Sequence, residues 1–117
     1  MGTGTDVQLD YRTALVTGGG GFVGKTVVRQ LLEKGASVRV LGRNRYPQLE
    51  AKGVECFRGD LADRDAVATA CEGVDVVFHV AALAGIWGEW QQYYTTNVLG
   101  TENVLYGCKN SKVQALV

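Results

Sequence analysis

The residues best suited to chemistry are Thr17-Gly18-Gly19-Gly20-Gly21-Phe22-Val23-Gly24-Lys25-Thr26, because three nucleotide-binding patterns overlap on them. TGxxGxxG falls on Gly18, Gly21 and Gly24; GxGxxG falls on Gly19, Gly21 and Gly24. GxxxxGK[ST], the Walker A pattern, falls on Gly19, Gly24, Lys25 and Thr26. All three make a glycine turn that brings backbone close to a phosphate and aims the free N–H groups of a helix start at the anion. They differ in the cofactor they serve.

The elements around this run follow from hydrophobic period. Thr13 to Thr17 is a short apolar run stopped by glycines, and reads as a first strand. From Phe22 to Glu33, the apolar residues Phe22, Val23, Val27, Val28, Leu31 and Leu32 share one helical face, with Gly35 as the stop. Ser37–Leu41 and Val54–Arg58 read as the second and third strands, and Pro47 between them excludes a long uninterrupted helix. Asp63 caps a helix running to Glu72, followed by Gly73; Val74–Val80 is the most apolar run and the expected fourth, central strand. A long helix is expected from about Trp90 to Cys108, and Val113–Val117 begins a fifth strand.

Strand–helix alternation with right-handed crossovers predicts an α/β fold: a Rossmann-like, doubly wound parallel sheet of order 3-2-1-4-5. Its ligand belongs at the switch point between strands one and four, where the glycine turn stands. Residues 1–11 are polar and Gly/Thr-rich, an expected flexible tail, leaving 12–117 as the expected N-terminal part of a Rossmann, NAD(P)-type domain whose sheet stops within its fifth strand.

Residues downstream bear on the choice of register. A Walker loop must wrap a phosphate, yet Phe22 and Val23 are bulky, and the fourth strand ends Phe78-His79-Val80-Ala81 without the aspartate a metal needs. Lys25 and Thr26 then read as first-turn surface residues, and a P-loop NTPase is kept only as the third reading. In a dinucleotide site an acidic residue about 20 positions after the glycines receives the ribose 2′-hydroxyl. Here the second strand ends Leu41-Gly42-Arg43-Asn44-Arg45, with glycine in the carboxylate's place and a guanidinium next. Arg43 suits a 2′-phosphate and points to NADP, with NAD as the alternative; that Arg43 and Arg45 are plain solvated loop residues stays open.

With TGxxGxxG placed, more segments align, and from Arg12 to Val117 the chain resembles the extended short-chain dehydrogenase/reductases, the NAD-dependent epimerase/dehydratase family. Gly59-Asp60-Leu61-Ala62-Asp63 is similar to the family's GDLxD, which implies that Asp60 and Leu61 contact the adenine edge. His79-Val80-Ala81-Ala82 resembles HxAA, where Val80, Ala81 and Ala82 would let the backbone lie against the nicotinamide ribose. His79 itself reads as a core histidine. Asn97-Val98-Leu99-Gly100-Thr101-Glu102-Asn103-Val104-Leu105 resembles NVxGTxNxL, with Asn97 bracing the active-site backbone while Val98 and Val104 pack. Ala84-Gly85-Ile86-Trp87-Gly88, then Tyr93 and Asn97, resemble the branch of 3β-hydroxysteroid dehydrogenase-like enzymes and of bacterial 2-alkyl-3-keto acid reductases. Tyr46-Pro47-Gln48-Leu49 is similar to the second of these groups. Trp87 would then wall an apolar substrate pocket, or simply pack on the sheet. The cofactor contacts implied are Gly18, Gly21, Phe22, Val23, Gly24, Arg43, Asp60, Leu61, Val80, Ala81, Ala82 and Asn97.

The resemblance also says what to look for and not find. The family pairs an acid/base tyrosine with a lysine four residues on, beside hydride transfer from the cofactor. Four residues after Tyr11, Tyr46, Tyr93, Tyr94 and Tyr106 stand Leu15, Glu50, Asn97, Val98 and Asn110. No catalytic residue is therefore assigned, and the expectation is the N-terminal, cofactor-binding part of an oxidoreductase acting on a carbonyl or secondary alcohol of an apolar substrate. The alternative is a non-catalytic nucleotide-binding subunit, with self-association or a partner covering an exposed sheet edge.

Bulk composition excludes other classes. Twelve basic and twelve acidic residues cancel, so nothing favours nucleic acid or an anionic membrane as partner. Cys56, Cys71 and Cys108 are odd in number and widely spaced, as free thiols in a reducing compartment are, with no metal site. No run is long enough to span a membrane, and a cytoplasmic location is expected.

Overall fold

The computed structural model describes residues 12–80 and 98–117. The expected tail 1–11 and residues 81–97, among them Ala81, Ala82, Trp87, Tyr93 and Asn97, lie outside the described residues. In chain order the elements are β1 (Thr13–Thr17), α1 (Phe22–Glu33), β2 (Ser37–Gly42), α2 (Pro47–Glu50), β3 (Glu55–Arg58), α3 (Arg64–Cys71), β4 (Val76–His79), α4 (Gly100–Asn110) and β5 (Ala115–Leu116).

The five strands form one sheet in the order β3-β2-β1-β4-β5, as the alternation predicts, and every pairing is parallel. Because successive side chains point to opposite faces, each inner strand feeds two cores. On one face Ala14, Val16, Val38, Val40 and Val76 pack under Val28 and Leu31 of α1 and Leu49 of α2. On the other, Leu15, Leu41 and Val77 pack under Val67, Ala70 and Cys71 of α3 and Val104 of α4. Burial on both sides is why these strands read as continuous apolar runs.

Helix ends obey local rules. Asp63 caps α3, its Oδ1 accepting from the N–H of Asp65 at 3.1 Å and of Ala66 at 3.3 Å. Gly35 and Gly73 follow α1 and α3 with φ of 84° and 77°, a region that costs a side chain energy. One expectation is corrected. Phe22 and Val23 are 82% and 50% exposed, so the buried stripe of α1 begins at Gly24 and runs through Val28 and Leu31. Pro47 excludes a long helix, as expected, and in addition opens the short helix α2, where its missing N–H costs nothing. In α4, Val104 is buried as expected, whereas Val98 just before it is 40% exposed. Among the described residues no helix is long and apolar enough to cross a membrane.

One carboxylate ties the base of the sheet. Asp75 Oδ2 accepts from the backbone N–H of Arg12 at 2.8 Å and of Thr13 at 2.9 Å. The Asp75 backbone N–H donates to the Thr13 carbonyl at 2.9 Å, and its carbonyl accepts from Gln114 at 2.9 Å. A single residue thus sets the register of β1, β4 and β5. Asp75→Ala should lower unfolding free energy by about 1–3 kcal/mol, since it orphans two backbone donors, and Asp75→Asn, which keeps an acceptor, should lose less. Urea denaturation of the three proteins checks both.

Candidate functional site

The site forms where β1 stops. Gly18 adopts φ 77°, which turns the chain sharply off the strand, and the Gly21 N–H donates back to the Gly18 carbonyl at 3.1 Å. Helix α1 then starts so close to the turn that a Cβ on Gly24 would collide with the Gly18 carbonyl and stand 2.7 Å from the Gly19 Cα. Gly21 has no such neighbour; its nearest contact would be an ordinary 3.5 Å. Gly18 is thus fixed by dihedral and Gly24 by space.

The start of α1 differs from that of α3. Among the described residues no side chain caps it, and no acidic residue stands in its first turn. Its N-terminal N–H groups and positive dipole end are therefore left for whatever lies beyond them. Beyond them is a cavity of about 440 Å³. It is lined by Gly18, Gly21, Phe22, Val23, Gly24, Leu41, Gly42, Arg43, Asn44, Tyr46, Gly59, Asp60, Leu61 and Val80.

Nine of the residues expected from sequence, Gly18, Gly21, Phe22, Val23, Gly24, Arg43, Asp60, Leu61 and Val80, line this one space. They come from four chain segments: the turn after β1 with the first residues of α1, the turns after β2 and β3, and the residue after β4. Lys25 and Thr26 do not join them; both line a separate cavity between α1 and α2 with Arg29 and Lys52. The Thr26 hydroxyl instead donates to the Phe22 carbonyl at 3.3 Å, within the helix. Ala81, Ala82 and Asn97 lie outside the described residues.

Loops at the rim are held by backbone and by α4. The Gly59 N–H donates to the Gly42 carbonyl at 2.9 Å, joining the ends of β2 and β3. Arg58 Nε donates to the Arg43 carbonyl at 3.4 Å, while the Arg43 side chain is exposed. Asp60 Oδ1 accepts from the Ala62 N–H at 2.9 Å, which folds the turn after β3. Asn103, nearly buried on α4, donates from Nδ2 to the Leu61 carbonyl at 2.7 Å. Sequence reasoning named Asn103 without giving it this task. It also missed Leu41, Gly42, Asn44, Tyr46 and Gly59 as lining residues, since their signal is only adjacency to Arg43 and Asp60.

At the end of β4, one residue before the cavity-lining Val80, His79 bridges two elements. Its Nδ1 lies 2.8 Å from Thr17 Oγ1 and its Nε2 lies 3.0 Å from Thr101 Oγ1, so it links β1 to α4. Burial pushes its pKa below the ordinary histidine value, keeping the ring neutral. A neutral ring donates from one nitrogen and accepts at the other, and a hydroxyl can meet either role. This is a satisfied core histidine, as expected.

Cys56, Cys71 and Cys108 are free thiols, and burial first, then the neighbouring Cys108, pushes Cys71 up to about 12. Among the described residues no group of three or more His, Cys, Asp or Glu could hold a metal.

With this geometry in hand, comparison with known proteins is specific. The profile of the 3-beta hydroxysteroid dehydrogenase/isomerase family matches residues 15–117. A 2-alkyl-3-oxoalkanoate reductase of Stenotrophomonas maltophilia is 48% identical over 103 residues, covering 88% of this chain and 31% of that protein. A 3 beta-hydroxysteroid dehydrogenase/Delta 5-->4-isomerase of Mycobacterium tuberculosis is 39% identical over 115 residues, covering 88% of this chain and 30% of that one. Among solved structures, MoeE5 in complex with UDP-glucose and NAD superposes with a TM-score of 0.77 at 30% identity, over 89% of this chain and 34% of that one. The chain thus spans about a third of the length of the curated relatives it matches.

His79 gives a pH test. Its folded pKa is lowered, so below the unfolded value, about 6.5, the unfolded chain takes up the proton first. Stability is therefore full above that pH and is lost as pH falls toward the folded pKa. Thermal melts between pH 7.5 and 5.5 should show Tm falling with pH, and the fall should be smaller in His79→Gln.

Proposed function

The chain belongs to the 3-beta hydroxysteroid dehydrogenase/isomerase family, and from that premise we propose that it binds a nicotinamide dinucleotide, with NADP preferred, as the cofactor side of an oxidoreductase site. The reaction is interconversion of a carbonyl and a secondary alcohol on an apolar substrate, a steroid-like ring system or a long-chain 3-keto acid. The reading is supported by the names of the relatives and by the NAD in the MoeE5 structure.

The observation that carries it is one cavity joining the uncapped start of α1 to Arg43 at the end of β2. The residues fit the group. A pyrophosphate would sit against the N–H groups of α1, where the glycines leave no side chain in the way. The adenosine would pass between Arg43 and the Asp60-Leu61 turn. Arg43 would pair with the 2′-phosphate, and Gly42 offers no carboxylate to repel it. Bound there, the cofactor supplies hydride. Nine lining residues of this chain bind and orient it; Ala81, Ala82 and Asn97 are proposed as further cofactor contacts, as the family resemblance implies.

Proton transfer is assigned to no residue here, since no tyrosine of the 117 stands four residues before a lysine. The displacement of Lys25 and Thr26 from the cavity counts against Mg-ATP chemistry. We propose a cytoplasmic location, supported by the free thiols Cys56, Cys71 and Cys108. Residues 12–117 act as the dinucleotide-binding domain in this reading.

Isothermal titration should give tighter binding for NADPH than for NADH. Arg43→Ala should weaken NADPH about tenfold or more, the scale of a charge-assisted pair, while NADH changes little. Equal loss for both cofactors would remove Arg43 from the 2′-phosphate.

A further inference from the structure

Four features converge on Tyr46. First, its ring folds back over the glycine turn: a Cβ on Gly20 would overlap the ring itself and stand 2.7 Å from Cδ1. Second, the same ring reaches the end of β2, where a Cβ on Gly42 would lie 2.6 Å from the Tyr46 hydroxyl oxygen and 3.0 Å from Cε2. Third, neither glycine has a positive φ, so backbone conformation does not require glycine at either place. The requirement is space, and one side chain takes it twice. Fourth, Tyr46 lines the cavity itself.

The ring is held where it is by α2. The Tyr46 carbonyl accepts from the N–H groups of Leu49 and Glu50, each at 3.0 Å, and Pro47 sets the first turn. Leu49 is buried in the core under α1 and Tyr46 packs against the same cluster. The short helix is a bracket, and what it holds in place is this ring.

We propose that Tyr46 is a specificity-determining residue that keeps the end of β2 free of any side chain. Position 42 is where an acidic residue would meet a ribose 2′-hydroxyl. A side chain there would begin 2.6 Å from the phenol oxygen, so an aspartate enters only if the ring shifts, and the packing opposes the NAD-type contact before Arg43 adds any attraction for a 2′-phosphate. The inference rests on the dinucleotide reading above, but its steric part does not.

A two-part experiment separates the two. In thermal melts, Gly42→Ala should lower Tm by roughly 4 °C or more in the wild-type background, from overpacking, and by clearly less in Tyr46→Ala. An equal loss in both backgrounds would overturn the steric claim, whatever binds. In titrations, the double variant Gly42→Asp with Tyr46→Ala should bind NADH about tenfold or more tighter than Gly42→Asp alone. No gain from opening position 46 would overturn the specificity role. If wild type binds neither NADPH nor NADH, the cofactor reading itself fails, with the melting cycle still deciding whether Tyr46 fills position 42.

Discussion

Everything at this site depends on how closely α1 approaches the end of β1. The contact is backbone on backbone, Gly24 against the Gly18 carbonyl, and it leaves no room for even a methyl group. That proximity has three consequences. It brings the open start of α1 within reach of the turn, it seats Val28 and Leu31 over β1 and β2, and it brings β2's last residues into the same cavity wall. A larger residue at 24 would lift the helix and undo all three together. Glycine here is a distance requirement, distinct from the dihedral requirement at Gly18.

The opposite face of the sheet serves the cavity from behind. There α4 reaches forward twice, through Thr101 to His79 and through Asn103 to the Leu61 carbonyl. Both contacts are polar groups placed in an apolar layer, where unpaired atoms are costly and paired ones fix a single arrangement. They sit directly under two of the cavity's walls, the end of β4 and the turn after β3. Apolar packing holds α4 on the sheet; these two hydrogen bonds decide how far along it α4 rests. The layers are therefore specified by different physics, burial for the stacking and polar pairing for the registry.

What was legible in the sequence follows from how local each cause is. Strand order, α1 and α3 were readable because alternation, the Asp63 cap and the glycine stops act within a few residues. The core role of His79 was readable from its place in an apolar strand. Helical period groups Phe22 and Val23 with Val28 and Leu31 because it counts every apolar residue on one face alike. In the first turn of α1 those two side chains are exposed and line the cavity, in keeping with their implied role as cofactor contacts. Helix α2 escaped notice because proline was weighed as a breaker, when at a first helical position it is a starter. The contact of Tyr46 with Gly20 spans 26 positions, and no periodicity or cap announces it.

That contact also bears on how a site of this kind could discriminate between cofactors. Arg43 is exposed and its attraction for a phosphate is felt through water and salt, which screens it within about 10 Å at moderate ionic strength. Attraction of this sort is graded: it raises one affinity without forbidding the other. Exclusion by a packed ring is different, because it neither weakens with salt nor asks the ligand for a charge. If the phenol over Gly42 removes the hydroxyl-binding option, Arg43 need supply only part of the difference. The Arg58 bond to the Arg43 carbonyl suits that division, since it fixes the backbone that carries the charge while leaving the guanidinium free to move. Discrimination would then rest first on packing within the fold, and only second on the charge at its rim.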